Sequence, residues 1–184
     1  TAAPASSGQA SKAQASKAAG SWSRAVLRPL GVPIALEPGK GYSLTLPEPP
    51  ERPRRSLLLQ EARVAITPMG STLRVGGTME LGAGTLGVNP PRIRGIVRSM
   101  GRYLPAFTPD RFAGIEPWSG LRPCTPDGLP YIGRSARRDN LLVATGHAML
   151  GLSLGPVTGS LIAALVSGER PAIDLEPLRP ERFR

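Results

Sequence analysis

Hydrophobic positions change their period several times along the chain, and each change marks an element. Leu27 to Leu46 is punctuated by Gly31 and Pro33, and Gly39 and Gly41 interrupt the run before Tyr42-Ser43-Leu44-Thr45-Leu46, which alternates with period two. The pattern predicts a strand-rich entry. Pro47 to Arg55 holds four prolines and several charges, the composition of a surface loop. Ala62 to Thr67 and Thr72 to Met79 read as strands, with Met69-Gly70-Ser71 predicting a hairpin between them. Asn89 and Pro90 suit the cap and first position of a helix, and Ile93, Ile96, Val97, Met100 and Leu104 follow at helical spacing. Arg94, Arg98 and Arg102 stripe its other side and read as a solvated face. Three strands and a helix predict a helix-backed antiparallel sheet.

The pattern is densest from Trp118 to Gly151. It predicts a rigid loop, then a doubly buried strand at Leu141 to Thr145, then a glycine-rich turn into a helix. Pro123, Pro126 and Pro130 fix φ at three points, and Gly120 and Gly128 permit conformations closed to other residues. Such rigidity suits a loop that holds a group in place. Arg122 is that group, and a fixed guanidinium suits a planar carboxylate or carbonyl. Pro156 reads as a first-turn residue of the helix, which runs to about Ser167 with Gly168 as its stop and Pro171 beyond. Its N-terminus favours an anionic ligand group at the glycine turn. No charged residue occurs from Asn140 to Gly168, long enough to span a bilayer, but the glycines, Pro156 and His147 break the run into strand plus helix.

Composition changes little in this picture. At 184 residues the chain is long enough for one domain with a core. Its net charge of +10 comes from 20 arginines and 3 lysines against 13 acids. The arginines are scattered and no nucleic-acid motif accompanies them, so no nucleic-acid partner is expected. Cys124, the single cysteine, excludes an internal disulfide. Residues 1–19 are mostly small and polar, without a signal-peptide core, and predict disorder in preference to a weak helix.

GLRPCTPDGLPYIG followed by NLLVATGHAMLGLSLGP resembles the C-terminal part of the FAD-dependent amine and D-amino acid oxidoreductases, the D-amino acid dehydrogenase type above all. Gly20-Ser21-Trp22-Ser23 and Arg74-Val75-Gly76-Gly77-Thr78-Met79-Glu80 fit the same family. The resemblance runs over roughly residues 19–172. It implies an α/β (α+β) fold, the C-terminal portion of a two-domain FAD-dependent oxidoreductase. Residues 20–117 would belong to the antiparallel substrate domain and residues 118–172 to the last strand and helix of the FAD domain. Residues 1–19 and 173–184 would be tails. The family's G-x-G-x-x-G turn, which follows a first strand near its N-terminus, is expected to be absent from this chain, as is the apolar strand that should lead into Gly20. The expectation is therefore a fragment, or a subunit completed by a separate FAD-binding half.

The resemblance further implies FAD as cofactor, an amino acid or secondary amine as substrate, and oxidative deamination by hydride transfer to the flavin. Arg122 and Tyr42 would bind substrate. Gly20, Trp22, Ser23, Arg122, Gly146, His147, Gly151 and Leu152 would line the cofactor. No metal is expected. Read from the residues alone, Tyr42 is more simply a sheet tyrosine and Glu80 a solvent-facing carboxylate. Cys124 suggests a covalent flavin link, but it is off the position that the family's covalently flavinylated members use, so the resemblance implies a buried thiol. His147 divides evenly between a structural role and backbone contacts near the flavin. A cytoplasmic site, or one peripheral to the inner face of a bacterial membrane with an electron acceptor there, is the expected location. Two alternatives stand beside the enzyme: a non-catalytic remnant that docks on an FAD-binding partner, and, with least support, a basic module for nucleic acid or membrane.

Overall fold

A computed structural model describes residues 15–17, 19–82 and 84–183. Eleven principal elements follow in order: β1 (Ala15–Lys17), α1 (Ser23–Leu27), β2 (Glu37–Leu46), β3 (Leu57–Leu59), β4 (Val64–Met69), β5 (Thr72–Leu81), α2 (Pro90–Tyr103), β6 (Trp118–Cys124), β7 (Tyr131–Arg134), β8 (Leu141–Thr145) and α3 (Gly151–Ser167). They divide into two compact units, one of residues 37–124 and one that joins residues up to Leu36 with Thr125 onward. No helix among the described residues is long and apolar enough to cross a membrane.

The first unit is a five-stranded sheet ordered β3-β4-β5-β2-β6, with every neighbouring pair antiparallel. Alternation along β2 sends Tyr42, Leu44 and Leu46 to one face, where they meet Val64, Ile66, Leu73 and Val75. Ile96 and Met100 of α2 close over that face, with Ile93, Val97 and Leu104 packed beside them, so the helical spacing and the expected helix-backed sheet both hold. Each such side chain contributes roughly 1.5–3 kcal/mol by leaving water. Gly70, with φ +61°, makes the expected hairpin between Met69 and Thr72. Arg94, Arg98 and Arg102 are exposed, the solvated face expected. Asn89 sits at the N-cap of α2, but its side chain does not cap; it donates to Glu80 Oε2 at 3.4 Å instead.

In the second unit β8 is the central strand, parallel to β1 and antiparallel to β7. Leu141 and Val143 pack with Tyr131, Leu27, Val32, Ile34 and Leu36. The Tyr131 hydroxyl accepts from the Ala35 N–H at 3.1 Å and donates to the Ala35 carbonyl at 3.0 Å, satisfying a buried phenol. α3 ends at Gly168 in the left-handed conformation, as expected.

Several expectations need correction. Residues 15–17 of the expected N-terminal tail form a strand, because β1 needs only main-chain pairing to the apolar β8, and that polar strand is a parallel neighbour for β8. The remainder of that tail, residues 1–14 and 18, lies outside the described residues. Leu27 ends a helix instead of opening a strand, and residues 28–30 continue as a 3₁₀ turn. Trp118–Cys124 is a strand of the antiparallel sheet, not a loop; as an edge strand it tolerates Pro123, which pairs with Pro38. The unit boundaries accordingly fall at residues 36/37 and 124/125, not at 117/118. Pro156 lies inside α3 as its sixth residue, five positions from Gly151.

The expected C-terminal tail is docked. Arg182 grips Asp127 through both carboxylate oxygens at 2.8 and 2.9 Å, donates to the Leu129 carbonyl at 2.6 Å, and lies 3.9 Å from the Tyr131 ring centroid. Its guanidinium holds the Asp127 carboxyl at about 2, well below the usual range. Ser135 adds a 2.8 Å bond to Glu181. The loop after β6 is thus rigid through an arginine clamp as well as through its prolines.

Candidate functional site

In the sheet unit, the candidate residues separate onto two faces. Tyr42, 1% exposed, lies in the core under α2 and donates to Glu80 Oε2 at 2.6 Å. Lys40 shares that face, its Nζ donating to the Gly87 carbonyl at 2.7 Å and sitting 5.6 Å from the Tyr42 ring. Burial and then the bond to Glu80 raise the Tyr42 pKa; the same bond lowers that of Glu80. Glu80 is therefore tied to a sheet tyrosine and is not the solvent-facing carboxylate expected.

Gly39 and Gly41 alternate with Lys40 and Tyr42, so they face outward, and Arg122 pairs with Gly39 on the same side. Arg122 lays its guanidinium over Gly41, in the space that a Cβ there would occupy. Trp118 lays its indole over Gly120, the direct partner of Gly41. A Cβ on Gly39 would come within 2.7 Å of Cys124 Sγ and 2.9 Å of Met79 Sδ. Glycine on β2 and β6 thus lets an arginine, an indole and two sulfur atoms lie flat against one patch. Arg122 Nη1 is sealed from solvent there and has no hydrogen-bond partner among the described residues. Leaving a charged donor so costs about 1–3 kcal/mol or more, so an acceptor for it is expected when the site is occupied. Burial raises the Cys124 pKa, which keeps the half-buried sulfur a thiol, as expected.

The same rung is irregular. Between Lys40–Glu80 and Tyr42–Gly77 the register shifts, so Thr78 and Met79 together oppose Gly41. Thr78 has φ +61°, an outlier for a β-branched residue, and its Oγ1 is also buried without a partner among the described residues. Sequence reading passed over Thr78, Met79 and Trp118 as site residues; Gly39-x-Gly41 opposite Gly120-x-Arg122 was the signal.

The other candidates belong to the second unit. Ser23 Oγ and Thr145 Oγ1 share a buried hydrogen bond of 2.7 Å, and Thr145 also reaches the Gly20 carbonyl at 3.4 Å. Gly20 and Ser23 are thereby fastened to the end of β8, where Gly146 and His147 begin the turn. Thr145 was not foreseen in this role. Gly146 has φ +84°, and a Cβ there would come within 2.7 Å of Thr125 Cγ2, so the turn requires glycine. His147 Nε2 meets Thr158 Oγ1 of α3 at 3.0 Å, and burial lowers its pKa, so the ring is a neutral brace between turn and helix. Gly151 and Leu152 open α3, and Leu152 is 95% exposed. Trp22 is also exposed.

These residues fit one end of a flavin. Ser21 Oγ, at the Gly20 turn, is buried with no partner among the described residues, and the start of α3 offers unpaired N–H groups. A dinucleotide turn is another matter. The chain was expected to hold no such pattern, yet Gly82-Ala83-Gly84-Thr85-Leu86-Gly87 has the G-x-G-x-x-G spacing. It follows an antiparallel strand, two residues separate it from α2, and Lys40 and Ser119 draw the Gly87 and Leu86 carbonyls to the sheet. The parallel strand–turn–helix that gives the motif its meaning is absent.

Comparison with known proteins points the same way. The sequence profile of the family described as FAD dependent oxidoreductase matches residues 7–165, reaching into the stretch expected to be a non-family tail. The D-amino acid dehydrogenase of Xanthobacter autotrophicus (strain ATCC BAA-1158 / Py2) is 41% identical over 168 residues, 90% of this chain and 39% of that protein. That of Methylobacterium nodulans (strain LMG 21967 / CNCM I-2342 / ORS 2060) is also 41% identical with the same coverage. Glycine oxidase from Geobacillus kaustophilus superposes with a TM-score of 0.84 at 28% identity, covering 93% of this chain and 46% of its own. The chain thus spans about two-fifths of the length of the dehydrogenases it matches.

Proposed function

The chain belongs to the FAD-dependent oxidoreductase family, and from that premise we propose that it supplies the substrate anchor and the flavin-contacting turn for oxidative deamination of an amino acid. The observation that carries the reading is Arg122: a guanidinium laid over Gly41 with one nitrogen buried and without a partner among the described residues. Its planar fork suits a carboxylate, and glycine at position 41 lets the fork lie flat on the sheet. Glu80 is unavailable as a base, since Tyr42 holds it on the opposite face of the sheet. On this reading the substrate amine arrives uncharged, its proton released to solvent. FAD, when bound, supplies the acceptor for the hydride that leaves Cα, and water then hydrolyses the imine to a keto acid and ammonia.

The second unit would hold the flavin. Ser21 Oγ, the N–H groups of the Gly146–Gly151 turn and the start of α3 would face its polar edge. The positive end of α3 favours negative charge there. His147, braced on Thr158, would fix the shape of the turn and not exchange protons. FAD's remaining contacts would come from an FAD-binding half beyond the residues described, in the same polypeptide or a partner. Reconstituted with such a half from a D-amino acid dehydrogenase, the chain should support bleaching of flavin absorbance by an amino acid without oxygen. Stoichiometric FAD binding with no bleaching by any D- or L-α-amino acid would overturn the reading.

A further inference from the structure

The bulge opposite Gly41 has a determinable orientation. Gly77 and Glu80 bracket it, and both face α2: a Cβ on Gly77 would come within 3.1 Å of Ile96, and Glu80 receives the Tyr42 hydroxyl. The two residues between them, Thr78 and Met79, must therefore both turn outward, as bulged pairs do. Met79 Sδ is found there, beside Gly39 and 3.8 Å from Cys124 Sγ. Thr78 thus shares the outer face and the rung of Gly41 with the Arg122 guanidinium. Two buried polar atoms without partners among the described residues, Thr78 Oγ1 and Arg122 Nη1, thus belong to residues placed at one rung of the sheet.

We propose that Thr78 is a positioning residue for Arg122: its hydroxyl accepts from Nη1 when the outer edge of the guanidinium takes a carboxylate. The inference rests on Arg122 being the carboxylate anchor. Gly41 sets how close the guanidinium plane lies to the sheet, and Thr78 sets its tilt. A bidentate grip depends on that tilt, because both oxygens must lie in the plane of the fork. The positive φ of Thr78 is a strained conformation for a β-branched side chain, held by the bulge and by the Thr78 N–H bond to the Arg63 carbonyl at 3.2 Å.

The test is nitrogen-15 NMR of the arginine side chains in the 184-residue chain, titrated with acetate and, as control, methylammonium. The Arg122 resonance is identified by its loss in Arg122→Lys. Thr78→Val keeps the branched shape at the same φ and removes only the hydroxyl, so acetate affinity should fall about tenfold, the worth of one ordinary hydrogen bond to a charged group. Thr78→Ser restores the hydroxyl and should stay within about twofold of wild type, less than any single hydrogen bond is worth. Thr78→Gly removes hydroxyl and strain together, folds at least as well, and should match Thr78→Val. Equal affinity in wild type and Thr78→Val, or a fall in Thr78→Ser as deep as in Thr78→Val, overturns the positioning role alone. No response of Arg122 to acetate in the wild type overturns the anchor, and this inference with it.

Discussion

The two long helices treat apolar residues in opposite ways. α2 is amphipathic: it buries Ile96 and Met100, packs Ile93, Val97 and Leu104 against the sheet, and turns its arginines outward. α3 is apolar nearly all round yet buries only Thr158 and Leu161, leaving Leu152, Val157 and Val166 exposed. A helix apolar on every side is ordinarily covered on every side. The sheet unit therefore satisfies its own helix, whereas the second unit displays one that its described residues do not cover. Function follows the same division. The sheet unit carries the proposed charged anchor, Arg122, on a finished scaffold; the other carries neutral groups, Ser21, Ser23, Thr145 and His147, around the glycine turn at the start of α3.

The sharpest way to break this comparison is paired truncation. Ile96→Ala should lower unfolding stability by about 3 kcal/mol, the usual cost of emptying a tight core site. Chemical denaturation checks it, and a loss below about 1 kcal/mol would mean that α2 is not the lid of a finished core.

Next in size is the clamp on the second unit. Arg182→Ala should cost about 2 kcal/mol, less than a fully buried pair because Asp127 keeps some exposure. Asp127 has a folded pKa of about 2, below its ordinary 3.8. Its contribution is therefore complete above the unfolded value and lost as pH falls through the folded one. The gap in stability between wild type and Arg182→Ala should be full above about pH 4 and close as pH falls from there toward 2; a gap that stays constant across that window would assign Arg182 to packing alone.

Smallest is the effect on α3. Leu152→Ser should change stability by less than about 0.5 kcal/mol while reducing binding of an apolar dye. A large destabilisation would show that Leu152 has cover in solution.

Legibility in the sequence followed the same line. α2 could be read from Ile93 to Leu104 because a solvated face and a buried face leave opposite signs on one period. The strand at Leu141–Thr145 was visible because both its faces are buried. β1 was invisible: its small polar residues pair through the backbone, which composition does not report. β6 was hidden by prolines and glycines that elsewhere mean a loop, and only its edge position lets them stay in a strand. The arginine was found through the motif around it. Its separation from Tyr42 was not, because which face a tyrosine takes depends on the register of three strands. Thr78 was out of reach, since neither a bulge nor a buried hydroxyl shows in a list of residues.

The central claim is that Arg122 grips a carboxylate, and kinetics on matched substrates test it most directly. With the chain completed by an FAD-binding half, rates on an amino acid are compared with those on the amine lacking its carboxylate. In wild type the amino acid should be preferred. Arg122→Ala should erase that preference, a loss of about a hundredfold or more in kcat/KM when a shielded charge loses its partner. Arg122→Lys should lose nearly as much, because a point-like ammonium cannot reproduce the fork. A preference for the carboxylate substrate that survives in both variants would contradict the account.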